Sequence, residues 1–131
     1  MARHPHFDDR GTLDWHLRWD EALAAARASG KLVFVEMGRE ACSNCRTLVQ
    51  TVLPRPRVAA LLREHFVPLA SDADDTEPQV LDLAMEHMPD AMMLPFVLFT
   101  DAEGRWLAGS HGWQDPAAFE ALLERLAAAP R

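Results

Sequence analysis

Cysteine occurs only twice in this sequence, positive charge is outnumbered, and no apolar run approaches the roughly 20 residues that a membrane helix needs. The last of these removes a membrane-spanning reading. The charge balance, 13 Lys and Arg against 20 Asp and Glu for a net −7, argues against nucleic acid or an anionic membrane as partner. The opening residues, Met1-Ala2-Arg3-His4-Pro5-His6, lead into Asp8 and Asp9 without an apolar core, so they do not read as a signal peptide. The expected setting is therefore cytoplasmic. In that setting two cysteines point to catalysis or metal binding rather than to a structural staple. There is no second CxxC and no H-x₃-H, so a four-ligand zinc site would have to be gathered from scattered residues. The acidic loop around Asp72, Asp74, Asp75 and Glu77 lacks the mid-loop glycine and closing glutamate of a calcium loop. No internal repeat, linker or low-complexity segment is visible.

What is present is ordinary for one globular domain: 131 residues, 49% hydrophobic and 25% charged. Residues 1–12, polar with Pro5 and Gly11, read as a loose lead-in, and residues 13–131 as the domain. Leu13 to Trp19 alternates as a short half-buried strand. Asp20 can cap a helix to Ser29, with Gly30 as its terminator. Leu32 to Val35 is a buried strand. A helix from the cysteines stops at Pro54-Arg55-Pro56, and a second carries Val58, Leu61, Leu62 and His65 on one stripe. Phe66 to Ala70 is a strand, and Pro78 to His87 a helix with Val80, Leu83, Ala84 and His87 on one face. Phe96 to Thr100, the turn Asp101-Ala102-Glu103-Gly104 and Arg105 to Gly109 make a hairpin. Asp115-Pro116 opens a last helix with Phe119, Leu122, Leu123 and Leu126 inward. Early strands alternating with helices and a late hairpin predict an α/β fold: a mixed central sheet of four to five strands, helices on both faces.

The chemistry gathers at Phe34-Val35-Glu36-Met37-Gly38-Arg39-Glu40-Ala41-Cys42-Ser43-Asn44-Cys45. Cys45, Leu48, Val49 and Val52 fall on one helical stripe, with Cys42 one turn earlier at the helix mouth. Unpaired N–H groups and the positive dipole end stabilise a thiolate there, and the thiolate is the nucleophile. Cys42 is then the attacking thiol. Cys45 faces the core and can reach Cys42 as a resolving thiol.

This CxxC, in a strand-to-helix turn, resembles the thioredoxin superfamily over roughly residues 13–128. Two further features carry the resemblance. Glu36 stands six residues before Cys42, where thioredoxins hold a buried acid that helps deprotonate the second thiol. Leu94-Pro95-Phe96-Val97-Leu98-Phe99 and the turn after it are similar to the family's cis-proline loop, strand and turn. The resemblance implies a thioredoxin-like fold, a cis Pro95 facing the cysteines, and no cofactor beyond the Cys42–Cys45 disulfide. It also implies a substrate contact surface of Ala41, Ser43, Asn44, Leu94 and Pro95. The departures are Ala41 for tryptophan, Ser43-Asn44 for Gly-Pro, Gln50 for a kinking proline, and Leu94 for Thr or Ile.

The expected activity is thiol–disulfide exchange on protein or small-molecule disulfides by a monomer. Cys42 and Cys45 act as the dithiol, Glu36 as the base, and a reductant not named by the sequence recycles them. The alternative for Glu36 is an ion pair with Lys31, Arg39 or Arg46. Two other functions stay open: a redox-idle peptide-binding module, favoured by the departures around the cysteines, and a CxxC zinc or copper binder. His4 and His6 read as a solvated terminal pair, His65 and His87 as edges of helical stripes, and His111 as a polar residue of a flexible loop. Trp15 and Trp19 read as core or edge packing, and Trp106 as core or sheet cover. Met85, Met88, Met92 and Met93 could make an adaptable peptide surface, but core filling is the expectation for at least half of them.

Overall fold

The computed structural model describes residues 2–130. Four strands, β1 (Leu32–Gly38), β2 (Phe66–Asp72), β3 (Phe96–Thr100) and β4 (Trp106–His111), form one sheet in the order β2-β1-β3-β4. β1 runs parallel to β2 and antiparallel to β3, and β3 pairs antiparallel with β4. The helices are α1 (Trp19–Ser29), α2 (Ser43–Thr47), α3 (Pro56–His65), α4 (Pro78–His87) and α5 (Pro116–Ala128).

The period-2 alternation of β1 sorts two cores. Val33, Val35 and Met37 face one side, where Ala22, Leu23 and Ala26 of α1 and Val80 and Ala84 of α4 cover them. Leu32 and Phe34 face the other, against the cysteine helix, α3 and α5. Phe34 is fully buried there, with the Phe99 ring stacked at 5.5 Å and the Phe119 ring edge-on at 5.8 Å. Burying a side chain of that size is worth about 1.5–3 kcal/mol. Glu36 and Gly38 continue the Phe34 side of the strand, so the alternation itself sends a carboxylate into an apolar layer behind the cysteines.

Several elements depart from expectation. Leu13 to Trp19 is not a strand: only His16 bridges to β2, opposite Leu69. Trp15 and Trp19 are both buried. α1 starts at Trp19, and the side chain that takes its first N–H is not Asp20 but the distant Glu77, at 2.7 Å. Gly30 does end the helix, at φ 70. The cysteine helix is α-helical only to Thr47 and then widens to a π-helical turn over Leu48–Val52, with Leu53 N–H bonded to the Leu48 carbonyl at 2.9 Å. That turn spans Gln50, whose amide donates to the Asp8 carbonyl at 3.3 Å.

Residues 2–12 are not a loose lead-in. Asp9 organises them: its carboxylate accepts from Gly11 N at 3.1 Å, Leu13 N at 3.1 Å and Trp15 Nε1 at 2.8 Å. Short side chains that bond nearby backbone N–H groups close such turns without secondary structure. The Trp15 N–H donates to the Ala2 carbonyl, which brings the first described residue back against the domain. Phe7, Leu13 and Trp15 join the core beside the cysteine helix.

Candidate redox site

β1 ends at Gly38, and after Arg39, Glu40 and Ala41 the chain enters α2 with Cys42 as its N-cap. The cap is a sulfur: Cys42 Sγ accepts from Cys45 N at 3.2 Å. Cys42 has extended backbone (φ −147), the geometry of an N-cap, and its carbonyl already takes Arg46 N at 3.0 Å. Cys42 and Cys45 are joined in a disulfide with Cα atoms 5.3 Å apart. Their surroundings differ as the stripe argument requires. Cys45 is fully buried in the core, whereas Cys42 is half-buried at its margin.

The second wall comes from the loop before β3. Leu94 is half-buried and packs on the same cluster as Cys42, Pro95 is buried, and the bond between them is cis. Asn44 Nδ2 donates to the Leu94 carbonyl at 3.3 Å and ties the cysteine loop to this one. Gly112 N lies 2.8 Å from the Met93 carbonyl and 3.0 Å from that of Pro95, which fastens the loop from the other side. Ala41 and Ser43 are exposed and Asn44 half-buried. Met85, Met92, Met93 and Trp113 are exposed and Met88 half-buried, so the expectation that at least half of these methionines fill the core is overturned. Met92 and Met93 lie in residues 89–95, which contribute no regular element, and Met85 lies on the outer face of α4, opposite the buried Val80 and Ala84.

Beneath the disulfide lies Glu36, 1% exposed. Its Oε1 is 2.7 Å from His4 Nε2, and its buried Oε2 has no hydrogen-bond partner among the described residues. Gly38 shows where that oxygen points. A methyl group placed on Gly38 would overlap Oε2 and come within 2.7 Å of Cys45 Sγ, so both atoms line the space its missing side chain leaves. The cations named as alternative partners of Glu36 are engaged elsewhere. Lys31 donates to the Arg63 carbonyl, Arg39 pairs with Asp74 at 3.0 Å, and the Arg46 guanidinium lies over the Phe7 ring.

Sequence reasoning missed His4, which sits in the arm read as solvated, and no motif marks it. Gly38 was legible in principle: it lies two residues after Glu36 on a strand and so shares its face. His65, His87 and His111 take no part. His65 lies beside Glu64, His87 stacks flat on Trp106 at 4.4 Å, and His111 closes β4 rather than lying in a flexible loop. Among the described residues no group of three or more His, Cys, Asp or Glu converges as a metal site would.

A family profile described as thioredoxin-like matches residues 14–102. The chain is 28% identical over 125 residues to a protein of Pseudoalteromonas atlantica named thiol:disulfide interchange protein DsbD, and spans 94% of itself but 20% of that protein's length. Among solved structures it is similar to a thioredoxin from Thermus thermophilus, with a TM-score of 0.71 and 27% identity over 89% of this chain and 88% of the other. A disulphide isomerase from Xylella fastidiosa Temecula1 shares the fold, with a TM-score of 0.63 and 20% identity, covering 82% and 86% of the two chains.

Proposed function

The chain belongs to the thioredoxin-like family, and on that premise we propose that it is a thiol–disulfide oxidoreductase acting through Cys42 and Cys45. The observation that carries the reading is the inequality of the two sulfurs: one half-buried at a helix mouth, its mate wholly enclosed behind it. An open sulfur can meet a substrate, and a closed one can only meet its neighbour.

In the reduced protein, Cys42 thiolate is stabilised by the backbone N–H of Cys45 and by the helix end. It attacks one sulfur of a substrate disulfide. The new bond joins Cys42 to that sulfur, and the other substrate sulfur leaves with the electron pair. Cys45 then gives its proton to Glu36 and attacks Cys42 Sγ. The mixed disulfide breaks, the substrate departs as a dithiol after taking up protons, and Cys42–Cys45 is oxidised. Glu36 suits the middle step because one of its oxygens is unpaired and opens on the same gap as Cys45 Sγ.

The exposed rim of Ala41, Ser43, Met92, Met93 and Trp113 is where a disulfide-containing peptide would lie, with the loop at Leu94 and Pro95 alongside it. A flexible, polarisable methionine edge suits varied apolar side chains rather than one. Insulin reduction with dithiothreitol as electron donor tests the assignment. The wild-type chain should accelerate B-chain precipitation and the Cys42→Ser variant should not. Equal rates for the two would overturn it.

A further inference from the structure

The proposed chemistry makes Glu36 a base, but a carboxylate enclosed in an apolar layer is costly to keep charged and is not held still by that layer. His4 answers both problems. Its ring is sealed, and its two nitrogens have separate tasks. Nδ1 accepts from the backbone N–H of His6 at 3.1 Å and of Phe7 at 3.2 Å. A nitrogen facing two N–H donors cannot carry a hydrogen. The proton must therefore sit on Nε2, which donates to Glu36 Oε1 at 2.7 Å. The ring itself is fixed by Phe7 stacked at 5.6 Å and Trp15 edge-on at 4.7 Å.

We propose that His4 is a positioning residue for the release step: a neutral imidazole, locked as the Nε2–H tautomer, that anchors Oε1 of Glu36 and leaves Oε2 for the proton of Cys45. This rests on the oxidoreductase reading. His4 does not accept the proton, because protonating Nδ1 would set it against two N–H groups. The proton passes from Cys45 Sγ to Glu36. The thiolate electron pair forms the Cys45–Cys42 bond, and the pair of the broken bond leaves on the substrate sulfur. The bond at Oε1 fixes the carboxylate so that Oε2, which has no hydrogen-bond partner among the described residues, faces the gap.

The surroundings contain little else that titrates. Across the sheet Glu36 stands opposite Ala70 on β2 and Val97 on β3. His6 meets His4 ring edge to ring at 5.6 Å, Asp9 is turned to Trp15 and backbone N–H groups, and Arg46 lies 5.8 Å from the Phe7 ring centroid. Cys45 faces Glu36 across the gap at Gly38.

The test uses the full reduced chain with His4→Gln, whose amide N–H can replace Nε2–H, and His4→Phe, which keeps a ring and loses the donor. Nitrogen NMR of the wild type should show His4 neutral with its proton on Nε2. Carbon NMR at neutral pH should show the Glu36 carboxyl resonance displaced in His4→Phe, which loses the Nε2–H, and nearly unmoved in His4→Gln. The rate at which Cys45 resolves a preformed Cys42 mixed disulfide should fall about tenfold or more in His4→Phe, the size of one hydrogen bond to a charged group, and stay near wild type in His4→Gln. A His4 carrying both protons, an unmoved Glu36 in folded His4→Phe, or identical behaviour of the two variants would overturn the proposal. If His4→Phe does not fold, the tautomer and the His4→Gln spectrum and resolution rate still decide it. Neither NMR reading requires turnover, so a chain that fails to reduce insulin defeats the functional reading and leaves these results distinct.

Discussion

Gly38 faces Cys45 across a gap too narrow for a methyl group, since a Cβ there would lie 2.7 Å from the sulfur. The nearest neighbours of that Cβ are the Glu36 carboxylate and Cys45, both buried, so neither can swing into solvent to make room. Overpacking of this kind costs about 1–3 kcal/mol. Gly38→Ala should lower the unfolding free energy of the oxidised protein by that amount, read as a lower urea midpoint at unchanged slope. An unaltered midpoint would mean that the two side chains can yield.

The unequal exposure of the sulfurs predicts an asymmetric pair of variants. Cys45→Ser leaves Cys42 able to attack but removes the group that releases the product. Mixed with a peptide disulfide, it should accumulate a stable adduct on Cys42, seen as an added peptide mass and removed by reductant. Cys42→Ser should give no adduct under native conditions, because Cys45 is fully buried. An adduct on Cys45 of the folded protein would contradict the assignment.

Asp9 holds the arm by three hydrogen bonds, and two of the three donors belong to the buried Leu13 and Trp15. Removing the carboxylate leaves those donors unpaired, at about 1–3 kcal/mol for a buried group. Asp9→Ala should therefore destabilise the chain by about 3 kcal/mol in denaturant, with Asp9→Asn intermediate. Hydrogen exchange should rise first at residues 2–15. Uniform acceleration across the sheet would show instead that arm and domain open together.

The architecture was legible where periodicity and punctuation agree. Phe34 and Phe99 on strands, the α3 stripe of Val58, Leu61 and Leu62, and the Asp115-Pro116 helix start all lie where pattern alone puts them. The cysteine pair was legible from its place at a helix mouth, and Glu36 only through the family resemblance; the alternation of β1 explains why it lies on the side of Phe34. Long-range polar contacts were not. Glu77 caps α1 from 58 residues away, and His4 reaches Glu36 across 32. Nothing local marks either, because each partner is chosen by the folded surface. The arm misled for a related reason: its residues are polar, but Asp9 and His4 spend that polarity on backbone N–H groups rather than on water.

β1 occupies a central place in the sheet, yet neither neighbour is close to it along the chain: Val33 pairs with Val67 on one side and with Thr100 on the other. Among the described residues only the β3–β4 hairpin is a local pairing. Closing such distant contacts sacrifices chain entropy before burial compensates, which slows folding relative to a helical bundle of the same length. As the polypeptide leaves the ribosome, one edge of β1 stays unpaired until Thr100 has been made, and its Phe34 face stays open until Phe119 of α5 follows. Phe34 is thus among the last core rings to be enclosed, and the nascent chain's exposure to aggregation is concentrated on this one strand.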